Sequence, residues 1–172
     1  DYAGWYLSWM TQVRKWEIIR NISIRNLPFP FPNYRMGQRE MAEKSYISIR
    51  DKKRLFVQAP TGIGKTMGAM FPAVKSLGEG LIDKIFYLTA KTVTAGIAVE
   101  NYKKLSDAGL NLRTVVITAK DKVCPLEKRN CDPDYCDRAH NYYERAPKAV
   151  KDILGNQFLD RVLIRKYADL YN

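Results

Sequence analysis

The stretch LFVQAPTGIGKT, Leu55 to Thr66, leaves this chain little choice of architecture. Leu55 to Ala59 is an apolar run too short for a helix and of a length that suits a buried strand. It stops at Pro60. Gly62 and Gly64 then allow backbone turns that a residue with a Cβ resists, and MGAMFPAVKSLG behind them returns to helical spacing, with Pro72 expected to kink it or shorten its first turns. Two more apolar runs follow, KIFYLT (Lys84 to Thr89) and RTVVIT (Arg113 to Thr118), separated by the helix-like TAGIAVENYKKLSDAG, which Gly109 stops. Strand, helix, strand, helix, strand at these connection lengths predicts parallel strands joined by crossovers, an α/β layer fold.

The flanks read differently. Tyr2, Trp5, Trp9, Val13 and Trp16 recur at helical spacing and predict an amphipathic helix over residues 2 to 20. Residues 23 to 34, SIRNLPFPFPNY, are predicted non-helical, because Pro28, Pro30 and Pro32 remove donors and push their predecessors toward extended conformations. Phe29 and Phe31 are candidates to dock this stiff connector on the body. Gln38 to Arg50 is again periodic, and residues 141 to 170 read as helical, with Val150, Ile153, Leu154 and Phe158 as the apolar face. Three parts result: an N-terminal helix and Pro-rich connector (1–34), the α/β layer (35–118) and a cysteine-containing insertion (119–172).

The loop Ala59 to Thr66 has a definite chemistry. The general phosphate-binding pattern is GxxxxGK[ST], with Ala59 here in place of the first glycine, where a small residue suffices. Thr61, Gly62, Ile63 and Gly64 would aim successive N–H groups inward. Lys65 would reach the terminal phosphates as a point charge, and the Thr66 hydroxyl would ligate Mg²⁺. A formal charge of +11 adds a polyanion to the candidate partners without naming it. No apolar run approaches the roughly 18 residues that a membrane span needs, so no membrane partner is expected.

With these residues in place, a resemblance emerges. QAPTGIGKT resembles motif I of superfamily 2 helicases, where alanine commonly replaces the first glycine. YRMGQREMA (Tyr34 to Ala42) is similar to their Q motif, which implies that Arg35 and Gln38 contact ATP, the glutamine at the adenine edge. YLTAKT (Tyr87 to Thr92) resembles motif Ia, which implies that Thr89, Lys91 and Thr92 touch the backbone of a single DNA strand. The expected fold is then a partial RecA-like phosphate-loop NTPase sheet.

Cys124, Cys131 and Cys136 are all the cysteines of the chain, and His140 is its one histidine. An odd, clustered set argues against a disulfide framework and for a reducing, cytoplasmic setting. By spacing alone, Cys124-x6-Cys131-x4-Cys136-x3-His140 satisfies a Cys₃His zinc module that binds nucleic acid. The resemblance points elsewhere. FPFPNYRMGQREMA, FYLTAKT and ITAKDKVCP look like a bacterial subgroup of the XPD/DinG-like helicases, in which a mostly helical iron–sulfur insertion follows motif Ia. That implies a [4Fe–4S] cluster on Cys124, Cys131 and Cys136, with the fourth cysteine expected beyond Asn172. It also implies single-stranded or forked DNA as partner and a second RecA-like domain elsewhere in the polypeptide. The glutamate of motif II is not among these residues, so this stretch by itself is expected to bind nucleotide weakly without turning it over. A phosphate-loop ATPase unrelated to helicases is the remaining alternative.

Overall fold

A computed structural model describes residues 2–90, 92–124, 126–153 and 158–159. The chain divides into two compact units, Asp1–Asn111 and Leu112–Asn172.

The first unit is built on helices. These are α1 (Tyr2–Asn26), α2 (Gln38–Arg50), α3 (Lys65–Gly78) and α4 (Thr92–Asp107). Helix α3 is the hub and packs against α2, α1 and α4. Its Met67, Val74 and Leu77 are buried, as are Ile24, Leu27, Ala42, Tyr102, Leu105 and Leu110. Pro72 does not end the helix. The lost hydrogen bond and ring clash cost about 3 kcal/mol. Each buried aliphatic side chain returns about 1.5–3 kcal/mol, so packing on three sides outweighs the break. Ser76 Oγ donates to the Pro72 carbonyl at 2.9 Å within this buried face.

Helix α1 runs further than the sequence predicts, through Ser23 to Asn26 rather than stopping near residue 20. The reason is local: the restriction imposed by Pro28 reaches back only to Leu27. The last carbonyls of α1 are then satisfied from another helix. Lys75 Nζ donates to Ile24 O at 2.8 Å and Arg25 O at 3.1 Å, a cation on the negative end of α1, while partial burial lowers the lysine's pKa. Ile24 lies against Gly78, where a Cβ would come within 2.8 Å of Ile24 Cβ and closer still to its Cγ2. The connector docks as expected. Phe29 stacks on Tyr34 at 3.9 Å and meets Phe71 of α3 edge-on at 5.3 Å, and the Lys104 ammonium lies 5.0 Å from the Phe31 ring.

The expected sheet is where sequence and structure part. Residues 53–60 and 84–89 form neither helix nor strand and join no ladder, and Phe56, Phe86 and Leu88 are 91%, 75% and 88% exposed. A parallel strand needs neighbours for its backbone groups and cover on both faces, and neither is supplied to these runs by the described residues. The paired strands that are described lie in the second unit, where β1 (Thr114–Val115) pairs parallel with β2 (Phe158–Leu159). Val116 N also donates to Leu159 O at 2.7 Å. Phe158 is therefore a strand residue and not the end of a helix running to 170. The helix in that region is α6, Tyr142–Ile153, with the single turn α5, Lys120–Val123, before it. A parallel pair needs a crossover, and the cysteine segment with α6 is that crossover. Leu154 and residues 160–172 lie outside the described residues.

The α1–α3 crossing gives a direct test. Gly78→Ala should cost about 1–3 kcal/mol, as overpacking does, read as a lowered unfolding midpoint in a denaturant titration. The neighbouring exposed change Glu79→Ala should move it far less.

Candidate functional site

The loop between the apolar run at Leu55 and α3 has the shape its residues predict. Gly62 and Gly64 have φ of 87° and 84°, in the left-handed region that side chains resist. Gly64 caps α3, its carbonyl receiving the Gly68 N–H at 2.9 Å. Lys65 opens the helix and turns its ammonium back across the loop, donating to Ala59 O at 2.9 Å and Pro60 O at 2.8 Å. Thr61 and Gly62 are exposed, while Ile63, Gly64 and Thr66 are half-buried. Thr66 Oγ1 is a hard oxygen donor on the first turn of α3, with the Tyr87 hydroxyl 3.5 Å away. Such an oxygen suits Mg²⁺, which takes few protein ligands and completes its shell with phosphates and water.

The loop is held from behind by residues 35–38. Gln38 is 3% exposed, and both ends of its carboxamide are engaged. Oε1 accepts from Arg35 N at 3.0 Å, and Nε2 donates to Gly64 O at 3.0 Å. The Arg35 guanidinium donates to Gly62 O. Gly37, with φ of 74°, lets Ile63 approach so closely that a Cβ would sit 2.9 Å from Ile63 Cδ1. Arg35, Gln38, Gly62, Ile63, Gly64, Lys65 and Thr66 are thus brought into one assembly.

Sequence reading left two parts of this assembly out, the Gly37–Ile63 contact and the two carbonyls that receive Lys65. A glycine just before Gln38 was the one available signal for the first. Thr89 is half-buried at the end of the apolar run from Lys84, and Thr92 opens α4; Lys91 lies outside the described residues.

The cysteines are not assembled into a site. Cys124 and Cys136 are half-buried and Cys131 is exposed. Cys136 O accepts from His140 N at 3.0 Å, so these two residues share one turn. Even so, among the described residues no group of three His, Cys, Asp or Glu side chains could hold a metal ion. This arrangement fits neither the expected iron–sulfur ligand set nor the Cys₃His zinc set. The turn is held by protein groups instead, the Arg145 guanidinium donating to the carbonyls of Asp137 at 2.9 Å, Arg138 at 3.1 Å and His140.

A glycine-built anion loop at a helix start, with a lysine across its mouth, defines a phosphate-loop nucleotide-binding protein of the α/β type. The chain belongs, within that class, to the DEAD/DEAH box helicase family, which it matches over residues 37–152. A protein of Methanocaldococcus jannaschii named as a probable ATP-dependent helicase is 31% identical over 109 residues, covering 63% of this chain and 16% of that protein's length. The chain thus spans about a sixth of this relative. No solved structure gives a significant match. Among the described residues, no helix is long and apolar enough to cross a membrane.

Gly64→Ala tests the assembly. It places a side chain in the left-handed region, at about 1–2 kcal/mol, and drives a Cβ to 3.1 Å from Gln38 Cδ and nearer to Nε2. Expected is at least a tenfold loss of affinity for a fluorescent ADP analogue, with a lowered melting temperature. Gly80→Ala, another left-handed position but in open space, should lower the melting temperature without touching nucleotide affinity.

Proposed function

We propose that this chain is the nucleotide-binding part of the first motor domain of an ATP-dependent DNA helicase, an enzyme that couples ATP hydrolysis to movement on single-stranded DNA and to duplex unwinding. The observation that carries it is the loop itself: two left-handed glycines, a lysine folded over the opening, and a buried glutamine locking both to the preceding turn. Membership of the helicase family and the similarity to a protein named as an ATP-dependent helicase support it.

In this function the backbone N–H groups of Gly62 to Lys65 bind the β- and γ-phosphates. Lys65 trades a loop carbonyl for phosphate oxygens and stabilises the charge that builds on the departing phosphoryl group. The Thr66 hydroxyl would hold a magnesium ion, which would supply positive charge against the phosphate oxygens. Gln38 would serve the adenine edge with the second N–H and second lone pair of its carboxamide, while the bonds to Arg35 N and Gly64 O hold it against the loop. Arg35 steadies the loop from the Gly62 side, and Thr89, Lys91 and Thr92 take the backbone of the DNA strand. A second motor domain in the rest of the polypeptide supplies the remaining catalytic groups.

The narrower assignment to the XPD/DinG-like branch is supported by sequence position alone, and no step here passes through its cluster. Iron content of the full-length protein prepared without oxygen decides it. About four iron atoms per chain is the expected result for a [4Fe–4S] member, and zinc or no metal would remove the assignment.

Lys65→Ala tests the motor. The expected loss of DNA-stimulated ATP turnover in the full-length protein is on the order of 10²-fold or more, with affinity for oligo(dT) in the absence of nucleotide changed less than about twofold. Retained turnover would exclude this loop as the hydrolytic site.

A further inference from the structure

Three helical hydroxyls of the first unit are satisfied by their own helices. Thr11 Oγ1 donates to Leu7 O at 2.8 Å, Ser45 Oγ to Met41 O at 2.8 Å and Ser76 Oγ to Pro72 O at 2.9 Å. Thr66 is placed differently. The carbonyl four residues before it, Gly62 O, receives the Arg35 guanidinium. Among the described residues, the hydroxyl that approaches Thr66 Oγ1 is that of Tyr87, at 3.5 Å and across 21 residues of chain. Tyr87 lies in the apolar run from Lys84, where Phe86 and Leu88 stand in solvent. Its own exposure is lower, 41%, because its ring reaches toward the first turn of α3.

The pair has a use in cation binding. A hydroxyl that ligates a cation commits a lone pair to it and has to donate its proton to another group. On a helix the usual recipient is the carbonyl four residues back, and here Arg35 already occupies that carbonyl. A phenolic oxygen both donates and accepts, so Tyr87 can take the proton. A helical threonine divides between two rotamers, depending on where its hydroxyl bonds, and a partner outside the helix selects one of them. Groups that orient a ligand from behind matter to the metal, and their loss costs about 10–100-fold in metal affinity. A direct O–H···O bond spans about 2.5–3.0 Å, and bonds that are long in an unliganded site tighten when the ligand arrives.

We propose that Tyr87 is a positioning residue for Thr66, its phenolic oxygen accepting the Thr66 proton when that hydroxyl ligates a divalent cation at the nucleotide phosphates. This rests on the nucleotide-binding function proposed above and deepens one part of it. The loop N–H groups and Lys65 hold the phosphates without Tyr87, so Tyr87 serves only the cation-dependent part of the affinity.

The experiment is a Mg²⁺ titration of the full-length protein with a fluorescent, non-hydrolysable ATP analogue, followed by anisotropy. Tyr87→Phe keeps the ring and removes the oxygen. It should raise the Mg²⁺ concentration for half-maximal tightening about threefold to tenfold, the worth of one hydrogen bond. Affinity in EDTA and the melting temperature should stay as in the unaltered protein. Tyr46→Phe, which removes a phenol paired with Glu79 away from the loop, should leave the Mg²⁺ midpoint alone. Thr66→Val should abolish the Mg²⁺ dependence, and adding Tyr87→Phe to it should have no further effect. The proposal is overturned if Tyr87→Phe behaves like Tyr46→Phe, or if it weakens binding in EDTA as much as in Mg²⁺, while Thr66→Val still abolishes the dependence. If Thr66→Val leaves the Mg²⁺ dependence intact, the metal role given to Thr66 in the proposed function falls as well.

Discussion

One carbonyl organises the first unit. Gly64 O accepts from Gly68 N, which starts the hydrogen-bond ladder of α3, and from Gln38 Nε2, which ties the loop to the turn before α2. A loop with two left-handed glycines is entropically expensive to hold, because glycine loses more freedom on folding than any other residue. The bonds made by Gln38 contribute about 1 kcal/mol each in net terms, but a buried carboxamide left unpaired would cost about 1–3 kcal/mol. The asymmetry gives the turn at Arg35–Gln38 and the loop at Gly62–Gly64 a common fate. The close approach of Ile63 to Gly37 adds an apolar lock to the polar one.

The second unit is organised by a different physics. Its cysteine segment is poor in apolar residues and its described side chains are largely exposed, so little hydrophobic driving force fixes its course. What order it has comes from polar caps: Asp132 Oδ1 accepts from Asp134 N at 2.9 Å, and Arg145 gathers three carbonyls at the end of the Cys136–His140 turn. Such a segment gains much from any ligand that fastens its loops, because it has so little core to lose. In the described arrangement the three thiols are nevertheless not gathered.

Much of this was legible in the residues. Periodicity located α2 at Gln38–Arg50 and the Gly-Ile-Gly-Lys-Thr string located the loop, whereas Arg35 and Gln38 came from the resemblance of YRMGQREMA to a helicase motif. The errors have specific causes. Helix α1 was cut short because Pro28 was given a longer reach than its ring has. The first turns of α3 were expected to be short at Pro72 and are present from Lys65 on. Phe158 was assigned to a helix because a short apolar run does not reveal its partner, and only pairing with Thr114 decides it. The runs at Leu55 and Lys84 were read as strands, yet among the described residues they pair in no ladder, because a ladder needs another chain segment beside it.

The sequence by itself determined that the backbone turns left-handed at Gly62 and Gly64 and that Gln38–Arg50 is a helix. These follow from Cβ sterics and spacing, properties of a residue and its near neighbours. Tertiary structure alone decided that Gln38 would be buried with both ends of its amide committed and that Lys75 would cap α1 across 51 residues of chain. Each of those depends on which groups meet after the chain has folded, and a donor's partner is chosen by the geometry of packing rather than by the letters on either side of it.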